Sequence, residues 1–323
     1  MPVDAPPPVS MPALSIPADD VVVAFRTQNS NIRGRLVRLG TALDTIVAPH
    51  AMPDLAGRAL SEALTLAALC GSALPQGGNL NLMVRSNGAM PILVADYTAS
   101  GKLRGYARYD AAKLAELAQN ATRPDIASAL GDGHLAITLD SGPGEERYQG
   151  VLAFENAPLS ATVAAYFQQR ENLPTFIRSA VAEQYVGTRQ DPSPQSRWHR
   201  RAGGLMVQSL GASPEDDDSG DDDWKRVEML AATVEDHELL DPALTVERLL
   251  LRLFHEEAVV VDRVIPLSSF CRCSRAKVEN VLLAFGASEL SDMLDDHGQI
   301  SVTCEFCTKR YVFSLDELRE AGG

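Results

Sequence analysis

A chain of 323 residues is long for one domain and comfortable for two with a connection. Its apolar share of 45% supplies a sizeable core, while a formal net charge of −14 argues against a surface for nucleic acid or anionic lipid, which needs clustered Lys and Arg. No apolar run reaches the roughly 18 residues of a membrane span, no basic-then-apolar leader opens the chain, and four of the five cysteines have metal-ligand spacing, so the composition reads as cytoplasmic.

Residues 1–18, which include Pro2, Pro6, Pro7, Pro8 and Pro12, are expected to form a disordered lead, because proline removes donors and the segment has little to bury. A core domain is expected over 19–212. Residues 21–25 and 31–39 read as strands. In the stretch 55–74, Leu55, Ala59, Leu60, Ala63, Leu64, Ala67 and Ala68 return at three- and four-residue steps, and it is apolar on most sides, which predicts a buried helix. Cys70 falls inside that run and reads as a buried small hydrophobe rather than a reactive thiol. Residues 79–85, 91–97 and 103–108 form a meander with turns at 86–88 and 99–101. After a helical stretch at 111–120 comes a hairpin with arms 134–140 and 147–154, whose Gly142-Pro143-Gly144 is a turn rather than a phosphate loop. Residues 159–170 read as an amphipathic helix opened by Ser160, and 175–186 and 203–210 as two more strands. Short-turn strand connections with inserted helices argue an α+β fold: an antiparallel-sheet core with a buried helix.

Composition then shifts. An acidic helical linker is expected over 213–261, since 213–257 holds 15 Asp and Glu against 4 Lys and Arg. Its head, 215–223, reads as a solvated loop. Trp224, Val227, Leu230, Ala231 and Val234 then recur at helical period, Asp241-Pro242 reads as an N-cap with proline at the first helical position, and 244–254 is densely apolar. An acidic connector with an apolar stripe must lay that stripe on something.

The tail, 262–323, is expected to be a small zinc-binding module. Ser274 is placed to cap a helix with Val278, Val281, Leu282 and Phe285 on one face, stopped by Gly286. Ser288 would start a shorter one with Leu290, Met293 and Leu294, and a turn at 295–298 leads to paired strands at 300–304 and 310–314. Cys271-Arg-Cys273 and Cys304-Glu-Phe-Cys307 each bring two sulfurs within reach of one ion, and the 30 residues between the pairs allow a folded excursion and return. Zn²⁺ accepts four thiolates tetrahedrally, so one zinc per chain is expected, held by Cys271, Cys273, Cys304 and Cys307. A closed shell of four thiolates leaves no position for substrate, and no Ser-His-Asp, metal-hydrolase or phosphate-loop signature is present, so no enzyme is expected. His297 reads as a turn residue rather than a fifth ligand. The module's 7 basic and 10 acidic residues offer no face for DNA. Thiolates are also the oxidisable form of cysteine, so a plain staple and a redox switch both fit the spacing.

These motifs resemble the heat shock protein 33 family of redox-regulated bacterial chaperones. The tail carries the resemblance in Cys271-Arg-Cys-Ser-Arg275, Asp296-His-Gly-Gln-Ile300 and 304–313. The core adds Arg104-Gly-Tyr-Ala-Arg108, 144–150, 166–175 and Gly203-Gly-Leu-Met-Val-Gln208, and the connector adds Arg252-Leu-Phe-His-Glu-Glu257. The proline-rich lead and the acidic run depart from the family pattern. The resemblance implies a reduced, zinc-bound, inactive state. It further implies that oxidation releases zinc, closes Cys271–Cys273 and Cys304–Cys307 disulfides and unfolds the connector. Exposed apolar surface then holds unfolding client proteins without ATP, as a homodimer. The competing expectation is a zinc-stapled protein-binding module with a constitutive partner and no switch.

Overall fold

The computed structural model describes residues 16–120, 124–142, 145, 147–186, 197–211 and 219–322. Most of the expected lead (1–15), residues 215–218 of the acidic run, and Pro143 and Gly144 of the hairpin turn lie outside them. In chain order, β1 (Val21–Thr27), β2 (Ile32–Leu39), α1 (Thr41–Val47) and α2 (Asp54–Gly71) come first, then the meander β3 (Asn79–Ser86), β4 (Ile92–Thr98) and β5 (Lys102–Arg108). Helices α3 (Ala111–Asn120) and α4 (Ile126–Leu130) lead to the hairpin β6 (Asp132–Asp140) and β7 (Tyr148–Glu155), and α5 (Leu159–Arg170) to the long hairpin β8 (Thr175–Val186) and β9 (Arg197–Ser209). The connector carries α6 (Ser219–Ala232), α7 (Asp236–Leu240) and α8 (Val246–Phe254). After β10 (Val259–Pro266) and β11 (Ser268–Ser269) the tail folds as α9 (Arg275–Leu282), α10 (Ala287–Asp292), β12 (Gln299–Thr303), β13 (Arg310–Ser314) and α11 (Leu315–Gly322).

The α+β architecture is as expected. One sheet has the order β10-β1-β2-β9-β8 and the other β11-β5-β4-β3-β6-β7, all antiparallel except the short β11–β5 pairing; β12 and β13 pair by themselves. Helix α2 packs on strands of both sheets, with 16 of its 18 residues buried. Its alanines and Gly57 let both sheets approach. Gly203 and Gly204 in β9 show how tight the layers are. A Cβ on Gly204 would lie 2.8 Å from Thr65 Cγ2 of α2, and one on Gly203, pointing the other way, 2.5 Å from the Leu239 carbonyl oxygen of the connector. That close approach on both faces is why the strand needs two glycines in a row. Among the described residues, no helix is long and apolar enough to cross a membrane.

Several local expectations change. β9 begins at Arg197, extending the expected strand. Ser219 to Asp223 open α6 instead of forming a loop, as acidic residues suit a helix N-terminus. Asp241 and Pro242 form a turn in which Asp241 Oδ1 accepts from Ala243 N at 2.8 Å, and the N-cap of α8 is Thr245, whose Oγ1 accepts from Arg248 N at 3.3 Å. Strand β10 crosses the expected boundary at 261/262. Its apolar residues make it the partner of β1 through Val21↔Pro266 to Thr27↔Val259, so the chain rejoins the core sheet before entering the tail module. In the module Ser274 caps α9 as expected, but Val281 is 61% exposed, and Leu282 alone of the expected apolar face is fully buried there. Helix α10 is capped at Gly286 rather than at Ser288: the Glu289 carboxylate accepts from Gly286 N at 2.8 Å. A small core of Leu282, Leu290, Ile300, Tyr311, Phe313 and Leu318 holds the module together.

Candidate metal centre

Two chain reversals build the cysteine cluster. The first follows β11, where Phe270 N donates to Leu103 O at 2.9 Å and ties the approach to the core edge; Cys271 and Cys273 come next, and the Ser274 cap then commits the chain to α9. The second is the knuckle between β12 and β13. Cys304 N donates to Lys309 O (3.0 Å), Thr308 N donates to Cys304 O (2.8 Å), and Thr308 takes a left-handed φ of 58° to close the turn over Cys307.

Together the reversals bring all four expected ligands to one point. Cys271 Sγ lies 3.7 Å from Cys304 Sγ, Cys273 Sγ lies 3.4 Å from Cys307 Sγ, and all four sulfurs are within 4.8 Å of one another. A tetrahedral ion with sulfurs at about 2.3 Å sets them about 3.8 Å apart. The set could therefore hold a metal ion. The Tyr311 hydroxyl donates to Cys273 Sγ at 3.1 Å. Burial works against the Cys273 thiolate, but Tyr311 and the neighbouring sulfurs outweigh it and bring the thiol down to about 7. Burial, reinforced by the neighbouring sulfurs, pushes Cys307 up to about 12. Cys70 is 6% exposed inside α2, outside the cluster, and burial pushes its thiol up to about 12, as befits a small core hydrophobe. His297 sits in the turn closed by Asp295, whose Oδ1 accepts from the His297 and Gln299 amides, and is not among the grouped ligands.

The residues between the cysteines grip the core. Glu305 makes an ion pair with Arg108 at 2.6 Å, and its carbonyl lies 2.8 Å from His50 Nε2. Phe306 meets Tyr106 edge-on with centroids 4.9 Å apart, under the Arg104 guanidinium at 3.9 Å. On the other side Arg272 Nη2 donates to Asn79 Oδ1 at 2.6 Å. Strand alternation puts Arg104, Tyr106 and Arg108 on one face of β5. That period was readable in the sequence; the partner of the face was not.

The connector covers a face of the first sheet. Val21, Val23, Phe25, Leu36, Leu205 and Val207 of the first sheet form one apolar cluster with Val227, Ala231, Val234, Leu239, Leu249, Leu250, Leu253 and Phe254 of the connector. Phe25 and Phe254 have ring centroids 5.7 Å apart. Polar ties frame this contact: Arg178 of the core pairs with Asp236 at 2.8 Å, and the connector's buried Glu257, held within the connector by Arg226 at 2.7 Å, accepts from Ser30 Oγ of the core at 2.9 Å.

The comparisons agree with this architecture. The family model described as Hsp33 protein matches residues 20–314. The 33 kDa chaperonin of Caulobacter vibrioides is 38% identical over 293 residues, covering 91% of this chain and 94% of that one. That of Pseudomonas syringae pv. tomato is 32% identical, covering 95% of each. The crystal structure of the Thermotoga maritima 33 kDa chaperonin superposes with a TM-score of 0.74 at 23% identity, covering 93% of this chain and 97% of that one, which is a likeness of fold. A match over most of the chain, from β1 to the paired strands of the cysteine module, places it: the chain belongs to the Hsp33 family of chaperones.

Proposed function

We propose that this chain is a redox-regulated, ATP-independent holdase. In the reduced state Cys271, Cys273, Cys304 and Cys307 hold one zinc, which when bound offsets the thiolate charges and ties the two reversals together. Under oxidative stress, one peroxide per cysteine pair takes two electrons, leaving Cys271–Cys273 and Cys304–Cys307 disulfides, and each peroxide, with two protons, becomes two waters or an alcohol and a water. Disulfide sulfurs no longer serve as thiolate ligands, so zinc is lost, and the module loses roughly 10–16 kcal/mol of apparent binding energy. The inter-cysteine residues then release β5 and β3, the acidic connector lifts, and the apolar face of the first sheet takes unfolding clients. The oxidised chain acts as a homodimer in the cytoplasm. In this reading the working units are the core with β10 and β11, the connector, and the cysteine module.

The observation that carries the proposal is the convergence of four sulfurs from two distant reversals, with the residues between them gripping the core. Metal content and disulfide mapping of reduced and peroxide-treated protein test it. One zinc per reduced chain, lost as the two disulfides form, is expected. Retention of zinc after oxidation, with client binding equal in both states, would favour the constitutive zinc-stapled module instead.

A further inference from the structure

The contact between connector and core contains a side chain that an apolar lid does not require. Arg38 of β2 is 1% exposed, among the largest fully buried side chains in the molecule. It is paired with Val21 on one side and Gly203 on the other, so it stands on the connector-facing side of the sheet where Gly203 leaves it room. No carboxylate is hydrogen-bonded to it among the described residues. Nη1 donates to Leu244 O, Nη2 donates to Glu238 O at 2.9 Å, and Nε has no partner among the described residues. Both acceptors are main-chain carbonyls of the connector, one in the last turn of α7 and the other in the loop before α8. Arg201 beside it also donates to a connector carbonyl, Leu240 O at 2.8 Å, but it is neutralised by Asp19. Asp19 of the core and, more weakly, Asp241 and Glu247 of the connector lie within electrostatic range of Arg38 without bonding it.

A buried cation is costly unless its donors are satisfied. Here the satisfaction comes from the backbone of a segment that, in the function proposed above, leaves. Once the connector lifts, Arg38 stands in the apolar face with only water for the donors that the connector carbonyls had satisfied. Unfolding segments present the two things this face then lacks: apolar side chains and unpaired main-chain carbonyls, whatever their sequence. A guanidinium fork suits carbonyl acceptors that arrive in no fixed register.

We propose that Arg38 is a main-chain-carbonyl recognition site on the client-binding face, occupied by Glu238 O and Leu244 O when the connector is docked and by the backbone of an extended apolar client when it is not. This rests on the reading in which oxidation lifts the connector. The test is fluorescence anisotropy of a short apolar peptide with an uncharged dansyl label, amidated and free of Asp and Glu, titrated with wild type, Arg38→Met and Arg38→Lys, each oxidised with diamide, which closes disulfides and leaves methionine intact, and each checked for folding by thermal melting. Neither peptide nor label offers Arg38 a negative charge. Arg38→Met is expected to bind about tenfold more weakly, the size of one charge-assisted hydrogen bond. Arg38→Lys, which keeps the charge but not the fork, is expected to fall about threefold, and it carries the test if the Met variant does not fold. A purely apolar face predicts the opposite sign, because Met adds apolar surface and removes a desolvation cost. Binding by the variants as tight as wild type therefore overturns the role of Arg38. Wild type that gains no peptide binding on oxidation overturns the connector-release reading, and this role with it.

Discussion

Substituting Gly203 by alanine separates connector docking from core stability. A Cβ there would stand 2.5 Å from Leu239 O and 3.0 Å from the Leu239 carbonyl carbon, both backbone atoms. Ordinary contact needs about 0.8 Å more, and the clash cannot be relieved by rotating a side chain. The connector must move, yet residues 238–240 are held there by Arg38 and Arg201, and Leu239 is fully buried. Overpacking of this kind costs about 1–3 kcal/mol. If the cost falls on docking alone, the undocked population rises about 5- to 150-fold. Hydrogen exchange in reducing buffer reads this directly: amides of α7 and α8 should lose protection while those of β3 and β6 keep theirs. The matching Gly204→Ala clashes with Thr65 and Leu69 side chains of α2 and should instead lower the melting temperature of the whole core. Connector amides in Gly203→Ala that exchange like wild type would refute the claim that this backbone contact sets docking.

Leu250→Glu places a carboxylate at a 2% exposed position of the connector cluster. It should weaken docking by about 3 kcal/mol or more and raise client binding in reductant; unchanged protease sensitivity with no holdase activity would mean that α8 is not the cover. Cys70→Ser should leave zinc at one per chain, checked by metal analysis, because Cys70 lies in α2 outside the sulfur cluster. Glu257 is held below its ordinary value of 4.5 chiefly by the Arg226 guanidinium, against burial and with help from Ser30. A depressed folded-state value means that this carboxylate stabilises the docked connector fully above pH 4.5, and that the contribution is lost as pH falls through the folded-state value. Glu257→Gln should flatten the acid side of the melting profile, and an unchanged acid slope counts against the tie. Phe306→Ala should loosen the module more than Glu305→Ala, since Phe306 is gripped by Arg104 and Tyr106 whereas the Glu305–Arg108 pair is 47% and 59% exposed and screened; the reverse order in exchange of β5 amides contradicts this.

Elements whose identity is set by their own period were legible in the sequence. Helix α2 announces itself by returning Leu and Ala at helical steps, and the meander β3 to β5 by alternation between turn residues. Spacing also located the sulfur set, because metal geometry constrains short motifs strongly. What stayed hidden depends on partners distant in the chain. β10 has apolar residues at 259–261 and 264–265 around Asp262 and Arg263, and its role as an edge strand exists only through β1, more than 230 residues earlier. Asp241-Pro242 carries a helix-start signature equally compatible with a turn, and Thr245 wins because α8 packs its apolar face from Val246 onward. Arg104, Tyr106 and Arg108 stood out as a motif, yet their grip on Glu305 and Phe306 follows from the folding of the tail. Arg38 gave no signal at all, since an arginine in an alternating strand reads as solvent-facing until the connector is laid over it.

The central claim is that the state of the four cysteines controls whether the connector covers the apolar face. Hydrogen exchange of α6 to α8, followed in one sample with light-scattering suppression of a heat-unfolded client, measures cover and function together before and after peroxide. The account predicts protected connector amides and no suppression in reductant, then loss of protection and gain of suppression in step as zinc is released. Suppression that appears while the connector remains protected, or a connector that opens with the four thiols still reduced and zinc still bound, would contradict it.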